Sequence, residues 1–160
     1  MNALLETVNL SGNEATKYTL KKMRELINQG KKSVKIRKLF SEMLSGIDGR
    51  NAAGVLSAVF HFVRNRIRYQ KDIHEVETLQ TPERTLELGF GDCDDQSILT
   101  ASIIEAAGYP SRIVLVSNQP SGIFHHVFIQ GFDGANWISM DTTENYYGSG
   151  YAAPLTGYYI

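Results

Sequence analysis

Few residues of this chain have the type and spacing for covalent chemistry: its one cysteine, Cys93, the adjacent histidines His125 and His126, and Asp141. Cys93 follows Gly89-Phe90-Gly91-Asp92, and two glycines there let the backbone turn sharply. The run from Ser97 to Ala107, before Gly108, is apolar nearly all round and rich in helix formers. Cys93 therefore stands at or just inside a helix N-terminus. Unpaired N–H groups and the helix dipole there favour negative charge and lower a thiol pKa, and the Cys93 N–H is free to donate to an oxyanion. Asp92, Asp94 and Asp95 would oppose a thiolate if aimed at the sulfur, and helix capping is their more natural role.

A cysteine nucleophile needs a base and a group that orients the base. His126 opens the alternating run HVFIQ, Asp141 ends WISMD, and Asp133-Gly134 supplies a turn between them. Pairing the two runs as an antiparallel hairpin sets the start of one beside the end of the other, so His126 and Asp141 can face each other. Packing both strands on the helix of Cys93 puts the imidazole between thiol and carboxylate. His125 points to the opposite strand face and takes a substrate-side or exposed role. Gln96, on the first turn after Cys93, is placed to hydrogen-bond near the site. A lone cysteine excludes an internal disulfide or a multi-cysteine metal cage, and His125 and His126 form no chelating pair on one face. His61 has no ligand type at i+3 or i+4, and His74 lies in a polar segment, so no metal and no cofactor are expected.

The elements that position these residues follow from periodicity. Leu20, Met23, Leu26 and Ile27 mark an amphipathic helix from Asn13 to about Asn28, and Ser33 caps a second that runs to Gly46. Ala52 to Arg68 carries a broad apolar stripe that suits a helix packed on several sides. Gln70 to Arg84 reads as an irregular loop and a candidate cleft wall, with Thr81-Pro82-Glu83 opening a short helix that ends near Gly89. Strands are expected at Arg112 to Ser117, His126 to Gln130 and Trp137 to Met140, with turns at Asn118 to Gly122 and Phe132 to Ala135. Trp137 reads as a core residue, and the Tyr- and Gly-rich tail as an irregular flap or edge. The fold class is α+β: N-terminal helices and a nucleophile-bearing helix packed on an antiparallel sheet. One domain is expected over residues 1–160, mainly helical in 1–68 and with the catalytic core in 69–160.

Of 160 residues, 16 are Lys or Arg and 17 Asp or Glu. Residues 1–50 hold ten of the basic and five of the acidic ones, an excess of +5 against -6 in the remainder. The basic residues are interleaved with regularly spaced apolar ones, which indicates a solvated helix face and argues against a nucleic-acid partner. No run approaches the about 18 apolar residues of a membrane span, and MNALLETVNLSGNEA has no secretory pattern, so a cytoplasmic location is expected.

The run GDCDDQSILTASIIEAAGYPSRIV resembles the nucleophile segment of the transglutaminase-like superfamily, in which Gly-x-Cys opens a helix that ends at a Gly before an Arg-containing strand. HVFIQ and WISMDTT are similar to its His-containing strand and its Trp-x-x-x-Asp-x-Thr segment, with Val127-Phe128 in place of the usual Ala-Trp. The three segments fall in the family's order across Tyr69 to about Thr143, and residues 1–60 carry no motif. DCDDQS and the small size look like bacterial or phage members. The resemblance implies a papain-like arrangement with Cys93, His126 and Asp141 as triad and a covalent acyl-enzyme resolved by water or an amine. A peptide or protein substrate follows from it. Tyr69 and Gln80 are candidates for the second oxyanion donor. The alternative is a binding or structural component, for example of a phage particle, that keeps the fold without the chemistry.

Overall fold

A computed structural model describes residues 5–6, 14–71, 78–117, 126–149 and 155–159. His74, His125, the expected turn at Asn118 to Gly122 and part of the tail lie outside the described residues. The described helices are α1 (Glu14–Gly30), α2 (Val34–Met43), α3 (Ala52–Arg66), α4 (Pro82–Leu88) and α5 (Cys93–Ala106). The strands are β1 (Leu5–Glu6), β2 (Arg68–Tyr69), β3 (Phe90–Gly91), β4 (Ser111–Ser117), β5 (His126–Phe132), β6 (Trp137–Asp141), β7 (Tyr146–Gly148) and β8 (Leu155–Tyr159).

Helix starts follow local chemistry. The side chains of Ser33, Asn51 and Thr81 accept from the N–H groups of Ile36, Gly54 and Arg84, each satisfying a first-turn donor with no partner inside the helix. Pro82 fills the first turn of α4, and Gly89, with φ of 72°, closes it in the left-handed region that a Cβ disfavours.

The apolar faces converge on α5. Ile98, Leu99, Ala101, Ile103 and Ile104 have no exposed surface, and α1 to α4 pack around this helix on one side and β4 and β5 on the other. Leu20, Met23, Leu26 and Ile27 of α1, with Leu56, Val59 and Val63 of α3, join Ile113, Ile129 and Met140 of the sheet in one cluster. Two hydroxyls inside α5 turn back on the helix: Thr100 donates to the Gln96 carbonyl and Ser102 to that of Ile98, both at 2.7 Å. Arg24 of α1 is turned inward, where its guanidinium meets Glu105 at 2.8 Å. The other basic residues of the first two helices include Lys22, paired with Glu25, Lys35, paired with Glu87, and Lys38, paired with Glu42, all on the solvated surface.

Six strands form an antiparallel sheet in the order β1-β8-β4-β5-β6-β7, and β2 and β3 form a separate parallel pair. The α+β class, with helices on an antiparallel sheet, is as the patterning implies. Three details differ. The third helix ends at Arg66, and Arg68-Tyr69 pair with Phe90-Gly91, because the Arg68 and Gln70 N–H groups donate to the Gly89 and Gly91 carbonyls. The tail is not an irregular flap: Leu155–Tyr159 is an inner strand between β1 and β4. Trp137 is only partly buried, with the Arg112 guanidinium 4.2 Å over its ring. Among the described residues, no helix is long and apolar enough to cross a membrane.

Candidate active site

Cys93 is the first residue of α5 and Asp92 its N-cap. Asp92 accepts from the Asp95 N–H at 3.1 Å, and Asp95 Oδ2 accepts from the Asp92 N–H at 3.2 Å, a reciprocal capping box. Asp95 Oδ1 takes the Gln80 N–H at 2.8 Å, so a carboxylate 1% exposed ties the segment before α4 to the nucleophile turn. Gly91 is required by close approach: a Cβ there would lie 2.7 Å from Asp95 Cβ.

On the sheet, His126 begins β5 and Asp141 ends β6, and the pairing of Ile129 with Met140 puts them at the same end of the hairpin. His126 Nε2 lies 2.6 Å from Asp141 Oδ2. The carboxylate partner places a proton on Nε2 and leaves Nδ1 for a second group. Asp141 is 1% exposed, and its Oδ1 accepts from Thr143 Oγ1 at 3.1 Å and from the Glu144 N–H at 3.2 Å. Three donors fix this carboxylate, and it in turn fixes the ring.

The sulfur meets the sheet at Val127, the residue after His126. The Val127 N–H is directed at it, and Ser97 Oγ, one turn along α5, donates to the Val127 carbonyl at 3.5 Å. The thiol itself points to Asp94 Oδ1 at 4.0 Å. Burial, then the charges of Asp94 and Asp92, push the thiol up to about 12, against the donors at Val127 and Asp94. That is opposite to the depression expected from a helix N-terminus alone. The dipole acts on a partly buried sulfur set beside two carboxylates, and those effects win. Asp94→Asn is accordingly expected to lower the thiol pKa and to raise the rate of Cys93 alkylation by iodoacetamide at neutral pH about threefold, the gain in thiolate being partly offset by its weaker nucleophilicity. An unchanged rate would show that Asp94 does not act on the sulfur.

Burial lowers the His126 pKa, but the hydrogen bond and charge of Asp141, with Glu144 and Asp94 adding, outweigh it and the net shift is upward. A group with a raised folded-state pKa contributes stability that is complete below its unfolded value, about 6.5 for histidine, and lost as pH rises through the folded value. Thermal melts should therefore show wild type exceeding His126→Ala by more at about pH 5.5 than at about pH 8.5. An excess that grows with pH would contradict the pairing with Asp141.

The two oxyanion candidates separate. The Gln80 N–H is committed to Asp95, and its Oε1 accepts from Thr85 Oγ1 at 2.8 Å, anchoring that side chain at the start of α4. Tyr69, 51% exposed, lies beside the nucleophile turn, where β2 pairs with β3. Burial first, then the charges of Cys93, Asp92, Glu144 and Asp94, raise its pKa and keep its hydroxyl a donor. Gln96, given only a general hydrogen-bonding place in the sequence, is 1% exposed and bonded on both sides of its amide. His61 is on the surface of α3, where its Nδ1 meets the Ser57 carbonyl at 2.8 Å.

A cysteine at the N-terminus of a buried helix, packed on an antiparallel sheet that carries a histidine-carboxylate pair, is an arrangement of transglutaminase-like proteins. The chain belongs to the transglutaminase-like superfamily: the family's profile matches residues 37–142, beginning in α2 and so well upstream of the motifs at Tyr69 to Thr143. Comparison with curated proteins found no match. Among solved structures, the chain is similar to a candidate cysteine protease from Cytophaga hutchinsonii, with TM-score 0.57 and 20% identity over 87% of this chain and 46% of that one. It is similar to a candidate protease from Parabacteroides distasonis ATCC 8503, with TM-score 0.60 and 12% identity over 85% of this chain and 35% of that one. Legionella pneumophila LapG is also similar, with TM-score 0.55 and 17% identity over 80% of this chain and 75% of that one. The chain thus spans less than half the length of the first two, and at these identities the likeness is one of fold.

Proposed function

We propose that the chain is a cysteine-dependent acyl-transfer enzyme, a thiol peptidase, amidase or transglutaminase-like acyltransferase, acting on a peptide or isopeptide amide through Cys93, His126 and Asp141. The observation that carries this reading is the 2.6 Å contact from His126 Nε2 to Asp141 Oδ2, at the strand start whose next N–H faces the Cys93 sulfur. His126 takes the thiol proton on Nδ1, and Asp141 stabilises the imidazolium. The thiolate forms a C–S bond to the acyl carbon. The C–N bond of the amide then breaks as the imidazolium returns its proton to the leaving amine. Water or a second amine attacks the thioester, giving up a proton to His126, and expels the thiolate to yield an acid or a new amide. The Cys93 N–H, at the start of α5, and the Tyr69 hydroxyl are the donors offered to the tetrahedral oxyanion.

The high thiol pKa favours a second reading, a non-catalytic binding or structural component that retains the fold. Intact mass spectrometry after mixing with an activated aryl ester separates the two. Acyl transfer predicts a mass gain confined to Cys93, absent in Cys93→Ala and discharged faster by water or by an added primary amine; the faster acceptor identifies the reaction. A protein that gains no mass at Cys93 is not this enzyme.

A further inference from the structure

Gln96 lies one turn along α5 from Cys93 and is 1% exposed, so its amide has left water and must be satisfied inside the protein. Nε2 donates to the Gly91 carbonyl at 3.2 Å, and Oε1 accepts from Thr142 Oγ1 at 2.8 Å. Gly91 precedes Cys93 by two residues, and Thr142 directly follows Asp141. One side chain therefore spans the turn that carries the sulfur and the turn that carries the carboxylate. Both ends are held from behind: the Gly91 carbonyl also accepts from the Gln70 N–H at 3.1 Å, and the Thr142 carbonyl accepts from Arg64 of α3, also at 3.1 Å.

Stability gives little reason for an amide here, because such a hydrogen bond contributes only about 1 kcal/mol net and an apolar pair of the same shape can serve as well. What hydrogen bonds at both ends supply, and apolar packing does not, is direction. We propose that Gln96 is a positioning residue for acyl transfer, its amide fixing the Cys93 turn in register with the His126–Asp141 pair through Gly91 and Thr142. The proposal rests on the reading of those three residues given above. It separates Gln96 from Ser97 and Thr100, whose hydroxyls, among the described residues, donate to main-chain carbonyls.

The test is the pH dependence of Cys93 alkylation by iodoacetamide in wild type, His126→Ala, Gln96→Leu, Thr142→Val and Thr142→Ser, each checked for folding by near-ultraviolet circular dichroism and thermal melting. Asp92, Asp94, Asp95, Asp141, Glu144 and Tyr69, the other titratable groups around the sulfur and imidazole, are the same in all five proteins. Gln96→Leu and Thr142→Val are expected to lower the His126-dependent rate in the neutral range about tenfold, as a small misalignment does, and to leave the alkaline limb within about twofold. Thr142→Ser, which keeps the hydroxyl, should restore the wild-type profile. Folded Gln96→Leu and Thr142→Val proteins with the wild-type profile overturn the proposal and leave the Cys93–His126 reading intact. A wild type with no His126-dependent rate overturns both. Should Gln96→Leu not fold, the contrast between Thr142→Val and Thr142→Ser decides by the same criteria.

Discussion

Asp141→Asn is expected to slow acylation of Cys93 by an activated ester on the order of a thousandfold while leaving the fold in place. The carboxylate accepts from three donors, His126 Nε2, Thr143 Oγ1 and the Glu144 N–H, and is almost wholly removed from water. An amide of the same shape keeps one accepting oxygen and turns the other position into a donor. One of the three partners then faces a donor in place of an acceptor, and the imidazolium formed when Cys93 loses its proton is no longer balanced by a negative charge. Loss of stability should be about 1–3 kcal/mol, the range for a buried hydrogen-bonding group left unsatisfied, and readable in denaturant titration. A folded Asp141→Asn that acylates at the wild-type rate would remove Asp141 from the mechanism.

His126→Ala should slow the same acylation about a hundredfold to ten-thousandfold at neutral pH, the range for losing a positioned general base. The effect is expected to be large here because the sulfur has little help of its own. Burial, Asp94 and Asp92 hold the thiol up at about 12, so without a base almost none of it is ionised at neutral pH. Against the lowering effect of burial, Asp141, Glu144 and Asp94 raise the affinity of His126 for a proton, as the proposed base requires. A general base supplied in solution, such as imidazole, is expected to restore part of the lost rate by filling the space the side chain leaves. Ester acylation that is indifferent to the substitution would mean that the thiol reacts through the α5 N-terminus alone.

Those two residues were legible in the sequence because the features that place them are local. His126 starts an alternating run, Asp141 ends another, and Asp133-Gly134 closes the hairpin between them, so chain direction alone brings the two side chains to one end. Gly91 before Cys93, and an apolar run after it, marked a buried helix start in the same way, as Ser33 and Thr81 marked the caps of α2 and α4. What stayed hidden depends on distant partners. Leu155–Tyr159 is an inner strand only because β4 offers it a free edge, and nothing in a Tyr- and Gly-rich tail encodes that edge. Two-residue strands such as Arg68-Tyr69 are too short to show alternation. The bridge from Gln96 to Thr142 crosses 46 positions of sequence. The rise in the Cys93 pKa likewise comes from what buries the sulfur, whereas the helix-terminus argument that favours its fall could be read from five residues.

The most direct test of the Cys93–His126 pairing is the rate of Cys93 alkylation by iodoacetamide from about pH 5 to about pH 10 in wild type and His126→Ala. The account predicts that wild type is alkylated faster than His126→Ala through the neutral range, where unprotonated His126 takes the thiol proton, and that this excess fades on the acid side as His126 is protonated, while His126→Ala shows only a rise toward alkaline pH. Coincident profiles for the two proteins, each a single alkaline rise, would contradict it.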